Sequence, residues 1–267
     1  MRALLLAAGL GTRLKPLTNY LPKCLIPIHG RPLLDFWLES LCNHGVSEII
    51  VNTHYFSPLV VEYIQRSSWA RYVKLVYEEK LLGTGGTILA NSAFFRNEPF
   101  LVAHADNLTL FDFQAFEKRH RGHPSTAEIT MMVFKTPDPK SCGIVGLDQD
   151  EMVTSFHEKV ASPPGNLANA AVYILEPSLL EFLASLRKTE IDFSTEVIPQ
   201  YMGRILTYRN VQYHRDIGTV ASWADAHKDF LSTPASPANV DAWAETLTMV
   251  DAALPMIMAR LLTETQP

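Results

Sequence analysis

Residues 6–27 read LAAGLGTRLKPLTNYLPKCLIP, and they continue the compact apolar run Ala3–Ala7. A short apolar run that ends at Gly9 reads as a buried strand delivering a tight turn. Gly9 and Gly11 let the backbone approach a phosphate closely with its N–H groups as donors, and Arg13 adds a guanidinium fork suited to phosphate oxygens. Two common phosphate loops can be tested directly. The dinucleotide fingerprint G-x-G-x-x-G requires glycine where the chain has Leu14, and the P-loop pattern G-x-x-x-x-G-K-[ST] does not occur. Gly9-x-Gly11 alone therefore decides little, since a plain turn after a strand needs the same residues.

Outward from this stretch, 267 residues suffice for one large α/β domain or two small ones. A chain that is 47% hydrophobic and 19% charged can build an ordinary soluble core. The net charge of −5 argues against a nucleic-acid binder, which needs a basic face, but leaves room for a basic pocket and an anionic small molecule. The three cysteines, Cys24, Cys42 and Cys142, match neither a disulfide framework nor a zinc site and suit a reducing compartment. No run approaches the roughly 20 apolar residues of a membrane span. The opening MRALLLAAGLG leads into polar sequence instead of a cleavage site. A cytoplasmic protein with no membrane partner is the expectation. The nine histidines show no metal-ligand spacing and read as surface or packing residues.

Short apolar runs alternate with helical patterns, as in a mixed, mostly parallel α/β sheet with crossover helices. Strands are expected at Ala3–Ala7, Glu48–Asn52, Val73–Tyr77 and Phe100–His104, with helices over Pro32–His44 and Pro58–Arg66. A loop over Glu78–Gly86 then precedes a helix to about Ala93. From about residue 124 the strands shorten: Glu128–Phe134, Ile144–Leu147, Met152–Phe156 and Ala170–Leu175. Ser178–Leu186 and Thr195–Met202 read as helices, Arg204–Tyr208 as a strand and Val220–Phe230 as a helix. Residues 233–237 (TPASP) read as a linker, and 240–263 as a terminal helical segment interrupted at Pro255, either a dimerisation helix or a cap over the core. There is no internal repeat. The expected division is a domain over 1–231, with halves 1–123 and 124–231, followed by 232–267.

Thr12, Arg13, Pro16, Leu17, Thr18, Pro22, Lys23, Pro27, Gly30, Pro32 and Leu33 stand at the spacings of the pattern G-x-G-T-R-L-x-P-L-T…P-K…P-I…G-x-P-L. This closely resembles the opening of the sugar-1-phosphate nucleotidyltransferases, over roughly residues 1–231. The resemblance implies a Rossmann-like three-layer α/β/α fold with a sugar-binding β insertion, NTP and sugar 1-phosphate substrates, and Mg²⁺. It implies that Arg13 holds the β/γ end of a triphosphate while Lys23 lies near the α-phosphate, placing charge on both sides of the bond that breaks. Leu6, Ala7, Gly9, Gly11, Thr12, Arg13, Glu79, Gly83 and Thr84 become the nucleotide contacts, Gly83–Gly86 being similar to a base-reading loop. Asp106, directly after the strand Phe100–His104, and Asp216, in Arg215–Thr219 (RDIGT), become the metal carboxylates, with His104 beside the first. An N-cap or turn role is the plainer reading of either aspartate.

For the sugar phosphate the resemblance implies Gly143, Glu158, Lys159 and Asn169. Here the chain departs most from the pattern: Cys142 replaces an aromatic, Val160 a proline and Ala171 a glycine, while Ala105 replaces the glycine before Asp106. The Glu79–Thr84, Phe156–Val160 and Asp192–Pro199 segments look most like members that join GTP to mannose- or heptose-type 1-phosphates. Thymidylyl or uridylyl transfer to glucose-1-phosphate is the alternative. A dinucleotide-dependent dehydrogenase lacks its third glycine, a metal-dependent glycosyltransferase leaves Arg13 and Lys23 unexplained, and a non-catalytic sensor leaves both aspartates unexplained. The resemblance extends to no hexapeptide-repeat β-helix, so no acetyltransferase half is expected, and a homo-oligomer stays open.

Overall fold

The computed structural model describes residues 1–231 and 235–265. In its first half the chain forms β1 (Arg2–Leu6), the two-residue strands β2 (Pro27–Ile28) and β3 (Arg31–Pro32), α1 (Leu33–Asn43), β4 (Ile49–Thr53), α2 (Ser57–Arg66), β5 (Val73–Tyr77), α3 (Gly83–Ala90), β6 (Phe100–His104), β7 (Asn107–Leu110) and α4 (Phe113–Arg121). It continues with β8 (Ile129–Lys135), β9 (Gly143–Leu147), β10 (Val153–Glu158), β11 (Leu167–Leu175), α5 (Ser178–Ser185), β12 (Ile205–Arg209), β13 (Tyr213–Asp216), α6 (Val220–Asp229), α7 (Pro237–Leu247) and α8 (Leu254–Glu264). The expected α/β class, a mixed central sheet with flanking helices, is observed. No helix among the described residues is long and apolar enough to cross a membrane.

Two compact units divide the chain, each assembled from segments on both sides of residue 123. One comprises Met1–Leu4, Lys80–Ala103 and Phe111–Gln212; the other Leu5–Glu79, His104–Leu110 and Tyr213–Pro267. In the second unit, β1 leads to β4 and β5 in sheet order. The β4–α2–β5 segment is a parallel βαβ unit in register from Ile49↔Val73 to Thr53↔Tyr77. All of β4 is buried, which is why its sequence shows no alternation. In α2, Pro58 occupies the first turn and Leu59, Val60, Tyr63 and Ile64 form the buried stripe. A separate antiparallel ribbon joins β7 to β13, from Asn107↔Asp216 to Leu110↔Tyr213.

Asp35 of α1, wholly buried, accepts hydrogen bonds from Arg31 Nε (2.6 Å), Tyr63 Oη (2.7 Å), Trp69 Nε1 (2.6 Å) and Asn239 Nδ2 (2.9 Å). A buried carboxylate persists only when its lone pairs are filled in this way. Asn239 lies on α7, so this cluster ties the C-terminal segment to α1 and α2, and Trp243 packs edge-on against Tyr63. Of the two sequence readings of that segment, α7 is a cap. Pro255 does not interrupt a helix: it sits in the first turn of α8, and the break lies at 248–253. Of the expected linker at 233–237, residues 233 and 234 lie outside the described residues.

In the first unit the sheet order is β10–β9–β11–β6–β1, with β8 pairing both β11 and β12. β12 runs parallel to β8, while β11 is antiparallel to β6, β8 and β9. The sequence reading misses β7, α4 and β13, and its helix at Thr195–Met202 is a π-helical turn, Phe193–Val197, running into a 3-10 turn, Ile198–Tyr201. Against β8, the register of β11 slips between Asn169 and Tyr173, and inside that bulge Ala171 has φ +53°. Asn169 Oδ1 braces it by accepting from Ala171 N at 2.9 Å. Left-handed backbone costs a residue with a Cβ about 1 kcal/mol or more. Ala171→Gly is therefore expected to stabilise the protein by about 0.5–1 kcal/mol in urea unfolding.

Candidate active site

The segment after β1 is a run of three 3-10 turns, Thr12–Leu14, Leu17–Asn19 and Lys23–Leu25. Leu14, Leu17, Leu21 and Leu25 anchor it with no exposed surface, while Pro16 and Pro22 fix the bends between turns. Gly11 has φ +60°, and a Cβ there would lie 2.8 Å from Thr18 Cγ2 and 3.2 Å from Lys23 Cβ. Thr18 Oγ1 donates to Gly11 O at 2.8 Å, and Tyr55 Oη to Thr18 O at 3.0 Å. Glycine at 11 thus lets the loop fold back on itself and seat Lys23.

Asp106 occupies the turn between β6 and β7. Ala105 N donates to Leu6 O at 3.0 Å and Trp37 Nε1 to Asn107 O at 2.8 Å, clamping the turn on both sides. Ala105 is fully buried and is not among the residues with positive φ, so the backbone at this position does not require glycine. Asp216 ends β13 opposite Asn107 in the β7–β13 ribbon. That register is how two carboxylates 110 positions apart in sequence come together. The helix that follows is capped by Thr219, whose side chain accepts from Ser222 N, so Asp216 is not its N-cap.

Lys23 Nζ lies between the two aspartates, 2.7 Å from Asp106 Oδ2 and 2.9 Å from Asp216 Oδ1. The side chains are 9% (Lys23), 21% (Asp106) and 49% (Asp216) exposed. Burial on its own would lower the pKa of the Lys23 ammonium, but the charges of Asp106 and Asp216 outweigh it and the net shift is upward. Burial would likewise raise Asp106, and the Lys23 charge overrides it to hold the carboxyl below the usual range. Asp106 Oδ1 is buried with no hydrogen-bond partner. Two hard oxygen donors already converge on one cation, with a further buried oxygen unused; this donor set fits Mg²⁺. The sequence reading put Lys23 near an α-phosphate, and here its ammonium bridges the expected metal carboxylates.

Arg13 is exposed, with Nη2 3.3 Å from the point where a Cβ on Gly218 would stand. His214 Nδ1 shares a 2.9 Å hydrogen bond with Thr109 Oγ1, and burial pushes its pKa down to about 4 despite the nearby Asp216 and Asp106 charges. Cys24 is buried and its thiol pKa is driven well up by desolvation, unlike a nucleophile. One pair escaped the sequence reading. Asn52 Oδ1 accepts from Ala7 N at 2.7 Å, and Asn52 Nδ2 donates to Glu78 Oε1 at 2.9 Å. Both side chains are buried and hold the loop's entry, whereas Glu79 is exposed. The signal available was a polar residue, Asn52, inside an apolar strand.

In the other unit, Gly83 and Thr84 lie in the first turn of α3, not in a loop ending at Gly86. Cβ atoms on Gly83 and Gly86 would come within 2.6 Å of Ile191 O and 2.2 Å of Thr189 O. Close packing of α3 on this segment accounts for those glycines. Gly143 and Glu158 are register partners in β9 and β10. Glu158 Oε1 pairs with Lys159 Nζ at 2.8 Å, and Lys159 has φ +48°. Asn169 Nδ2 donates to Tyr173 Oη at 2.6 Å. Burial raises the Tyr173 phenol pKa, and the Glu158 and Asp192 charges add to it, so these acidic groups share its surroundings. The structure thus groups Gly143, Glu158, Lys159 and Asn169 on the β10–β9–β11 strands or beside them.

A sequence model of the family described as nucleotidyl transferase matches residues 2–233. A mannose-1-phosphate guanylyltransferase of Mycobacterium tuberculosis is 31% identical over 235 residues, covering 86% of this chain and 64% of the relative. A mannose-1-phosphate guanyltransferase of Candida albicans is 30% identical over 238 residues, covering 87% and 63%. The chain thus spans somewhat less than two thirds of these relatives. Among solved structures, a Bacillus anthracis protein provisionally assigned as a glucose-1-phosphate thymidylyltransferase aligns with TM-score 0.81 over 90% of this chain and 98% of its own. At 17% identity it shows the fold alone. HddC of Yersinia pseudotuberculosis, complexed with GMP-PN, aligns with TM-score 0.73 at 25% identity, covering 86% and 99%.

Removing the ammonium leaves the part-buried Asp106 without its ion-pair partner. Lys23→Met is expected to cost about 2–3 kcal/mol in urea unfolding, and Asp106→Asn in that background to recover at least about 1 kcal/mol. The pair's contribution is fully present above about pH 4 and is lost as the pH falls through the depressed value of Asp106. At the alkaline end it is present below about pH 10 and is lost as the pH rises through the raised value of Lys23. Unfolding titrations of wild type against Lys23→Met should show the difference vanish at both extremes.

Proposed function

The chain belongs to the nucleotidyl transferase family, and on that premise we propose that it transfers a nucleotidyl group from an NTP to a sugar 1-phosphate, releasing pyrophosphate in a Mg²⁺-dependent reaction. The observation that carries this reading is the convergence of Lys23, Asp106 and Asp216 on one point beside a glycine-containing loop that presents Arg13. GTP and a mannose-type 1-phosphate are the preferred pair, supported by the guanylyltransferase relatives and by the GMP-PN complex of HddC. The three cysteines are unpaired, which supports a reducing, cytoplasmic setting.

The reaction is a single in-line displacement: a phosphate oxygen of the sugar 1-phosphate forms a bond to the α-phosphorus as the bond to pyrophosphate breaks. No protein nucleophile is needed, and buried Cys24 is unsuited to being one. Asp106 and Asp216 would hold Mg²⁺, which when bound neutralises charge on the triphosphate. Arg13 would bind the β/γ phosphates, and the Lys23 ammonium, placed beside both carboxylates, would stabilise charge near the α-phosphate. Glu79, Gly83 and Thr84 serve the base; Glu158 and Asn169 orient sugar hydroxyls, and Lys159 binds the sugar phosphate. Catalysis is then positioning and charge neutralisation.

Four NTPs against a panel of sugar 1-phosphates, read by pyrophosphate release, test the assignment. GTP with mannose 1-phosphate is expected to give the highest kcat/KM. A maximum with dTTP or UTP and glucose 1-phosphate would move the substrate while keeping the reaction. Asp106→Asn and Asp216→Asn should each lower turnover by about 100-fold or more with far-UV circular dichroism unchanged. Unchanged turnover in both would overturn the proposed site.

A further inference from the structure

The histidine spacing in the sequence suggests no metal site, yet the fold brings two histidines onto one carboxylate. His120, in the last turn of α4, is 3% exposed. Its Nδ1 shares a 2.9 Å hydrogen bond with Thr130 Oγ1 of β8, while its Nε2 is buried with no hydrogen-bond partner and lies 3.2 Å from Glu176 Oε1. His123 follows just beyond the helix. Its Nδ1 is 2.8 Å from Pro124 O, and its Nε2 is 3.0 Å from the same Glu176 oxygen. Glu176 is fixed directly after β11 by its own N–H, which donates to Glu128 O at 2.9 Å. The two imidazoles and the carboxylate each offer a ligand atom within 4.8 Å of the others.

The hydrogen bonds decide what this cluster needs. A carbonyl oxygen only accepts, so Nδ1 of His123 carries the proton, and in the neutral ring Nε2 turns a lone pair toward Glu176. Lone pairs facing one another across 3.0 Å require a positive charge between them, supplied by a proton or by a metal ion. A single proton on His123 leaves the buried Nε2 of His120 unsatisfied. A metal ion satisfies all three groups together. Glu117 adds a second negative charge to the surroundings of His120.

We propose that His120, His123 and Glu176 form a site for a divalent transition-metal ion of the zinc class. Two imidazole nitrogens and one carboxylate oxygen suit that class and not Mg²⁺, which takes oxygen ligands. The 3.0 and 3.2 Å approaches are close to the separation of about 3.3 Å between ligands around tetrahedral zinc. Held Nδ1 atoms are the usual support for such histidines, fixing tautomer and ring orientation. The ion clamps the connection between α4 and β8 to the end of β11, a structural role within one unit and built from none of the residues assigned to nucleotidyl transfer.

Co²⁺ titration of tag-free, chelator-treated protein in buffer containing excess Mg²⁺ tests this by visible ligand-field absorption. Wild type is expected to develop bands that saturate at about one equivalent and are bleached by Zn²⁺. His123→Ala and Glu176→Gln are the diagnostic variants, because both positions are partly exposed and tolerate change better than buried His120. Each should abolish the bands. Zn²⁺ at about 100 times its Kd should raise the wild-type Tm by about 5 °C and leave both variants unmoved. Absence of bands in wild type, with no Zn²⁺ effect on Tm, identifies a proton-only cluster and overturns the proposal, as do bands that persist in both variants.

Discussion

One ammonium keeps two carboxylates in place. Asp106 and Asp216 both approach the Lys23 ammonium, and Asp106 is largely withdrawn from water, so without Lys23 between them the two carboxyl groups would have no reason to stay together. The pairing with Lys23 keeps Asp106 ionised in the free protein. On the proposed reading such a state suits the site: Asp106 is charged in advance of a cation, and Lys23 already stands where phosphate oxygens would come. Preorganisation of this kind avoids reorganisation during the reaction itself.

Much of the second unit serves to seat these three side chains. The chain from Gly11 to Leu25 follows neither sheet nor long helix, so its position is set by buried leucines, by prolines between its turns and by the bonds joining Thr18 to Gly11 and Tyr55. Asn52 and Glu78 pin the entry of that chain through Ala7 N. The β7–β13 ribbon fixes the aspartates by register, and a slip of one residue would turn Asp216 to the opposite face. Asp35 ties α1 to α2 and α7, and α1 supplies Trp37, which clamps the Asp106 turn.

The members of the charge cluster are legible in the sequence because Lys23 falls in a long pattern of fixed spacings, Asp106 follows a strand that ends visibly and Asp216 lies in the RDIGT segment. What the pattern could not show was that Lys23 and the aspartates bond to each other, since that depends on pairing between short strands. β7 and β13 are four residues each, too short for a clear period. Gly83–Gly86 read as a loop because glycine is rare inside helices, yet close packing on the Thr189–Ile191 backbone requires it. Pro255 read as a break because proline ends helices, but the first turn of α8 tolerates it. Asn52 with Glu78, and His120 with His123 and Glu176, were invisible for a common reason. Each is an ordinary residue locally and acquires a role only from partners brought to it by the sheet. In the proposed sugar-binding set the departures at Cys142, Val160 and Ala171 are readable, whereas the strain at Ala171 is visible only as φ +53°.

The ionised Lys23–Asp106 pair is the premise on which the rest stands. Its most direct test is a carbon-detected NMR titration of the Asp106 side-chain carboxyl in the wild-type protein. The account predicts a midpoint below the ordinary aspartate value of about 4, with the carboxylate ionised throughout the neutral range. A midpoint above that value would mean that burial outweighs the Lys23 charge, and would contradict it.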